Sequence, residues 1–340
     1  MGFHYYSRFG SDARGIYPFG DLWSGFPLFE YGFYGVHLFF AVSGFVIALT
    51  LMRCDTWAEF AVRRLARLWP AMLVCACLSY LFLQVFPMYF SPEAADFLPS
   101  LTFIDGRYFE KVFPGRTFDW IDGAYWSLFV EVRFYALAAA IYFIDRARFL
   151  RHTLLLFLAL FAAYWTLLIL GHGHLAASMH DVLILAYLPW FLFGIAAHCL
   201  WLGKQTWAAV LVVTGFLPLV VGAVIASEWS HVTVAILVCA AFWLCHRFAV
   251  VRRFFSMRWL TAIGVSSYSL YLLHQNIGVT LTSVLSRSLQ ASPIVSLGVP
   301  VLTAAIIICA ARLIYRYWEG PLNTLIVRSY QRAGSVAEPA

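Results

Sequence analysis

The chain has 340 residues, of which 62% are apolar and only 12% charged, and its mean hydropathy is +0.79. Soluble domains carry about 25% charged residues, so this composition excludes an ordinary soluble fold and points to an integral membrane protein. The formal net charge of +6 is not a nucleic-acid signature, because the basic residues sit in short segments between apolar runs.

Residues 1–32 are rich in Gly, Tyr, Phe and charge and read as a loop, without the apolar core of a cleavable signal peptide. Nine apolar runs follow: Phe33–Met52, Pro70–Phe90, Ala124–Ile144, Thr153–Leu170, Val182–Leu202, Trp207–Ala226, Trp229–Cys245, Leu260–Leu281 and Ile294–Ile314. Most have the roughly 17 to 25 residues that a spanning helix needs. The expected fold is all-α, a polytopic membrane helix bundle of about nine transmembrane helices. It forms one domain over residues 1–332, and the polar piece Ala333–Ala340 is expected to be a disordered tail. The 7 Cys are scattered, so neither a disulfide framework nor a metal site is expected.

Loop charge sets an orientation. Arg53, Arg63, Arg64 and Arg67 follow the first run; Arg146, Arg148 and Arg151 follow the third. Lys204, then Arg247, Arg252, Arg253 and Arg258, then Arg312, Arg316, Arg328 and Arg332 continue the alternation. These loops are read as cytoplasmic. The opposite loops hold most of the acids, including Glu93, Asp96, Asp105, Glu110, Asp119, Asp122, Asp181 and Glu228. The C-terminus then lies inside and residues 1–32 outside, and one further span ahead of them would make the topology more usual.

The third run carries Glu131 and Arg133 near its middle, where charge is costly and by default functional. Ser127, Glu131 and Tyr135 share one helical face; Trp126 and Arg133 share another. A buried ion pair joining two helices is the alternative. In Gly35–Phe45, Ser43 and Gly44 suit close helix packing, and His37 reads as either a proton-transfer group or an interfacial histidine. Arg64 and Arg67, at i and i+3, can grip a phosphate with their planar forks or simply orient the chain; Pro70 suits the first turn of the next helix. Ser267, Tyr271 and His274 form a polar stripe that must face the bundle interior or a wet cavity. Glu319 is expected to pair with an Arg, and Pro321 to end the helix. The loop Ser91–Gly123 reads equally as a sugar-binding element or a connector. His172, His174, His180 and Asp181 match no firm ligand motif.

Together these segments resemble the acyltransferase-3 family of membrane acyltransferases. The resemblance rests on GVHLFFAVSGF at 35–45, RRLARLWP at 63–70, WSLFVEVRFY at 126–135, SSYSLYLLHQ at 266–275 and WEGP at 318–321, in the family's order. It implies about ten transmembrane helices, an acyl-CoA donor with no bound cofactor, and transfer, usually of acetyl from acetyl-CoA, to a hydroxyl of a glycan or glycolipid. Membrane lipid is the only other partner expected. Gly2–Tyr6 resembles the end of the family's first helix, which is absent here, and His4 matches its important histidine. His37 stands where many relatives have Asp.

Within that resemblance, Arg64 and Arg67 would hold the donor's phosphates at the cytoplasmic face. Trp126, Ser127, Arg133, Tyr135 and Tyr271 would help line the substrate site. His4, with His274 as second choice and His37 a further candidate, would take the proton of the sugar hydroxyl, and Glu131 would orient that histidine. Two rivals remain open: a flippase for a lipid-linked saccharide, disfavoured by the lack of two similar halves, and a same-family enzyme that moves succinyl or a longer acyl group.

Overall fold

The computed structural model describes every residue except 11, 13, 88, 290, 291 and 337–340, and the side chains of 334–336. The described residues are helical, with no strand among them. The principal helices are α1 (Gly35–Leu51), α2 (Trp57–Val85), α3 (Trp126–Ile144), α4 (Phe149–Ile169), α5 (Leu188–Trp201), α6 (Gln205–Ala226), α7 (Ser230–Arg247), α8 (Ser267–Leu273), α9 (Asn276–Ser288), α10 (Pro293–Ile314) and α11 (Gly320–Val336). Among the described residues, 7 helices are long and apolar enough to cross a membrane. The chain is a polytopic helical membrane bundle.

Four expectations are corrected. The run Val182–Leu202 yields only α5, with 14 residues, about 21 Å at the helical rise and short of a bilayer core. The run Leu260–Leu281 is broken into Arg258–Val265, α8 and α9. Pro70 lies inside α2 rather than at its start; the helix keeps going because the proline removes a single backbone bond. Pro321 does not end the last helix. It follows a π turn, Tyr315–Glu319, and the helix resumes as α11; the wider turn accommodates the missing N–H. Ala333 continues that helix to Val336, and the rest of the expected tail lies outside the described residues.

The chain divides into two compact units. The first comprises Met1–Phe33, Ala61–Phe129 and Met257–Ala340. Residues 1–32 are more than a loop. A π turn at Phe3–Ser7 and the turns after it bury Tyr5, Tyr6, Phe9, Ile16 and Tyr17 together with Val279 of α9. The segment 91–123 of this unit is tied down by Asp96, which accepts the amides of Glu93 at 2.8 Å and Asp119 at 2.9 Å.

The second unit comprises Tyr34–Phe60 and Val130–Ser256. Its centre is α5, whose residues Leu188–Cys199 are all buried. Gly44 of α1 and Gly194 of α5 let these two helices touch backbone to backbone: a Cβ on Gly44 would strike the Phe191 carbonyl, and one on Gly194 the Ala41 carbonyl. Phe134 of α3 stacks on Phe191 at 3.9 Å. Small residues at a crossing do for membrane helices what an apolar stripe does in water.

Candidate functional site

In the first unit the break between α8 and α9 is held by side chains from distant parts of the chain. A helix interrupted at His274–Gln275 frees backbone groups that must be satisfied locally. The buried Tyr5 hydroxyl donates to the His274 carbonyl at 2.8 Å. The fully buried Asp122 carboxylate accepts the Asn276 amide at 2.8 Å and the Ala124 amide at 2.8 Å. Gly278 has no side chain because the Tyr5 hydroxyl occupies the place of its Cβ.

This break sets the orientation of His274. Its Nδ1 lies 2.6 Å from the Tyr271 carbonyl. A carbonyl only accepts, so Nδ1 carries the proton and the neutral ring keeps its lone pair on Nε2. His4 meets His274 edge to face, with ring centroids 5.0 Å apart. The His4 carbonyl accepts from the Tyr17 hydroxyl at 2.6 Å. Its Nδ1 is buried and has no hydrogen-bond partner among the described residues. Burial, and then the neighbouring His274, hold the His4 imidazole well below its usual pKa, so it is neutral at physiological pH.

Next to the histidines, the Tyr271 hydroxyl donates to the Ala124 carbonyl at 2.9 Å and shares a 2.7 Å hydrogen bond with Ser127. Two members of the expected stripe, Tyr271 and His274, do lie together, ring centroids 5.2 Å apart, whereas Ser267 is exposed. Trp126, half-buried, opens α3.

Farther along the same unit, Arg67 is ion-paired with Glu319, as expected for Glu319, and Ser269 donates to the other carboxylate oxygen at 2.6 Å. The Trp318 indole donates to the Pro70 carbonyl at 3.0 Å. Arg64 is half-buried on the same helix as Arg67.

The second unit holds the remaining candidates. Glu131 is buried, and its Oε1 accepts from both Ser43 and Tyr135. The shared face of Glu131 and Tyr135 is thus real, and Ser43 serves as a donor as well as a small residue. Arg133 donates to the carbonyls of Asp181 at 2.8 Å and Val182 at 3.0 Å. His37 is buried in an aromatic box, 4.6 Å from Trp190 and 5.6 Å from His231 between ring centroids. Tyr34 shares a 3.3 Å hydrogen bond with His231.

Sequence reasoning missed Tyr5 and Asp122 as parts of this site. Tyr5 adjoins His4, and Asp122 stands just before the WSLFVEVRFY stretch. Only the packing of residues far apart in the chain reveals what each one holds. Burial pushes the Asp122 carboxyl up to about 7, against the pull of its two amide bonds.

The geometry provides two buried, close imidazoles, one with a defined acceptor nitrogen, which is the equipment of proton transfer to or from a hydroxyl. A family profile described as an acyltransferase domain matches residues 2–315. No curated protein and no solved structure matches the chain. With nearly its whole length matched and a multi-pass helical fold, the chain belongs to the acyltransferase-3 family.

Proposed function

We propose that the protein is a membrane O-acyltransferase that moves an acyl group, acetyl from acetyl-CoA, to a hydroxyl of a sugar or glycan such as an exopolysaccharide or lipopolysaccharide. The observation that carries this reading is the His4–His274 pair, with the His274 proton on Nδ1. An imidazole nitrogen of this pair takes the proton of the acceptor hydroxyl as its oxygen attacks the thioester carbonyl. The new C–O ester bond forms, the C–S bond breaks, and the CoA thiolate leaves with a proton returned by the imidazolium. His4, with its unpartnered Nδ1, is the base we favour, and His274 positions and backs it.

Arg64 is assigned to the donor, with Arg67, whose guanidinium is already paired with Glu319, beside it on the same helix. Guanidinium forks match phosphate oxygens bidentately, and the basic loops place them on the cytoplasmic side, where acyl-CoA is found. The same charge pattern supports a cytoplasmic C-terminus, and the plasma membrane is the location this reading adopts. Glu131, held by Ser43 and Tyr135 in the second unit, keeps the part in the reaction that the family resemblance implies for it.

The test is transfer of labelled acetyl from acetyl-CoA to a glycan extract in membranes containing the protein. Label in the glycan that disappears with His4→Ala, while acetyl-CoA still binds, supports the reading. Binding of a lipid-linked saccharide with no label in any acceptor overturns it in favour of transport.

A further inference from the structure

The last long helix carries on where its apolar run stops. Between α10 and α11 the π turn Tyr315–Glu319 widens the spiral, and beside it lies an open groove of about 700 Å³. Its lining includes the apolar Ala262, Val265, Cys309 and Leu313 together with Arg312 and Arg316. Val265 is 39% exposed and Leu313 57%, so apolar surface and two cations lie open side by side at the end of a membrane-length helix.

The two arginines differ from Arg67 of the same unit. Arg67 is neutralised by Glu319. Among the described residues neither Arg312 nor Arg316 meets a carboxylate, and the Arg316 guanidinium instead lies 5.4 Å from the Tyr317 ring centroid. Two uncompensated guanidinium groups beside an open groove with exposed apolar lining match one kind of ligand, an anion that brings its own apolar chains.

We propose that this groove binds an anionic glycerophospholipid. Arg312 and Arg316 hold its phosphate through their planar forks, and its acyl chains lie along Val265, Cys309 and Leu313. A zwitterionic headgroup brings an ammonium that the same arginines repel. A free phosphate gains the forks but leaves the apolar wall empty. This site stands apart from acyl transfer and does not depend on it.

The test uses the full chain, released from micelles containing equal amounts of phosphatidylglycerol and phosphatidylcholine, with bound lipid counted by native mass spectrometry. Each arginine near an anionic headgroup contributes about fivefold in binding, so phosphatidylglycerol is retained roughly 25-fold over phosphatidylcholine when both act. The double variant Arg312→Gln/Arg316→Gln loses this preference. The double variant Arg312→Lys/Arg316→Lys keeps most of it, and Arg151→Gln keeps all of it. A preference that survives the glutamine pair, or that falls equally with Arg151→Gln, overturns the site. Displacement of the retained lipid by millimolar inorganic phosphate or acetyl-CoA also overturns it, by showing that the groove selects a soluble phosphate.

Discussion

His4 and His274, 270 positions apart in the sequence, meet edge to face with ring centroids 5.0 Å apart. Replacing either with Ala should lower acetyl transfer by about 10²–10⁴-fold, the usual contribution of general acid–base catalysis, while acetyl-CoA binding stays. Tyr5→Phe removes the hydrogen bond to the His274 carbonyl and is expected to cost about 1 kcal/mol of stability, with a smaller fall in transfer. Scintillation counting of labelled glycan, alongside equilibrium binding of the donor, checks both. A Tyr5→Phe variant as inactive as His4→Ala would show that the break itself, and not the imidazole, governs the reaction.

The Arg67–Glu319 pair separates structure from donor binding. The Glu319 side chain is 1% exposed and that of Arg67 34%. Arg67→Gln leaves a buried carboxylate that still accepts from Ser269, a loss of about 3–5 kcal/mol. The double variant Arg67→Gln/Glu319→Gln restores much of that stability. If Arg67 also holds a CoA phosphate, acetyl-CoA affinity stays weak in the double variant; recovered affinity makes the arginine purely structural. Thermal unfolding in detergent and donor titration provide the two readouts.

Glu131→Gln keeps an oxygen able to accept from Ser43 and Tyr135 but removes the charge. If the charge serves the reaction, as the family resemblance implies, the expected result is a near-unchanged thermal midpoint with a lower kcat. Full activity in this variant would reduce Glu131 to a helix-joining acceptor.

Gly44→Ala or Gly194→Ala puts a methyl group into a backbone contact between α1 and α5. Overpacking of this kind costs about 1–3 kcal/mol. Gly222→Ala, where nothing lies within 4 Å of the new Cβ, is the neutral control. Thermal midpoints of the three variants compare them directly.

Asp122 makes stability depend on pH. In the folded protein burial raises its pKa to about 7, whereas unfolded it titrates near about 3.9. Between these values the folded state binds the extra proton, so stability falls as pH rises from about 4 to about 7 and then levels. Asp122→Asn cannot titrate and should flatten that part of the curve, measured as the thermal midpoint across the same range. An unchanged slope in Asp122→Asn would assign the dependence to another group.

Much of the architecture was legible because membrane insertion is a local property. Long apolar runs between basic and acidic loops mark helices whatever their neighbours do, and α1, α2, α3, α4, α6, α7 and α10 all appear near where those runs lie. The Glu131–Tyr135 contact was legible for the same reason, since i and i+4 meet on any helix. Five short motifs in order were enough to indicate the family.

What the sequence could not determine is where a run breaks and what holds the break. Leu260–Leu281 is apolar enough to be one helix. It breaks at Ser266 and again at His274, where Tyr5 and Asp122, from segments 269 and 154 positions away, bond the freed backbone groups. The same long-range packing brings His4 to His274 and Arg67 to Glu319. Periodicity determines which residues share a face of one helix; tertiary structure decides which distant residue meets that face, because a buried polar group is stable only beside a partner that folding brings to it.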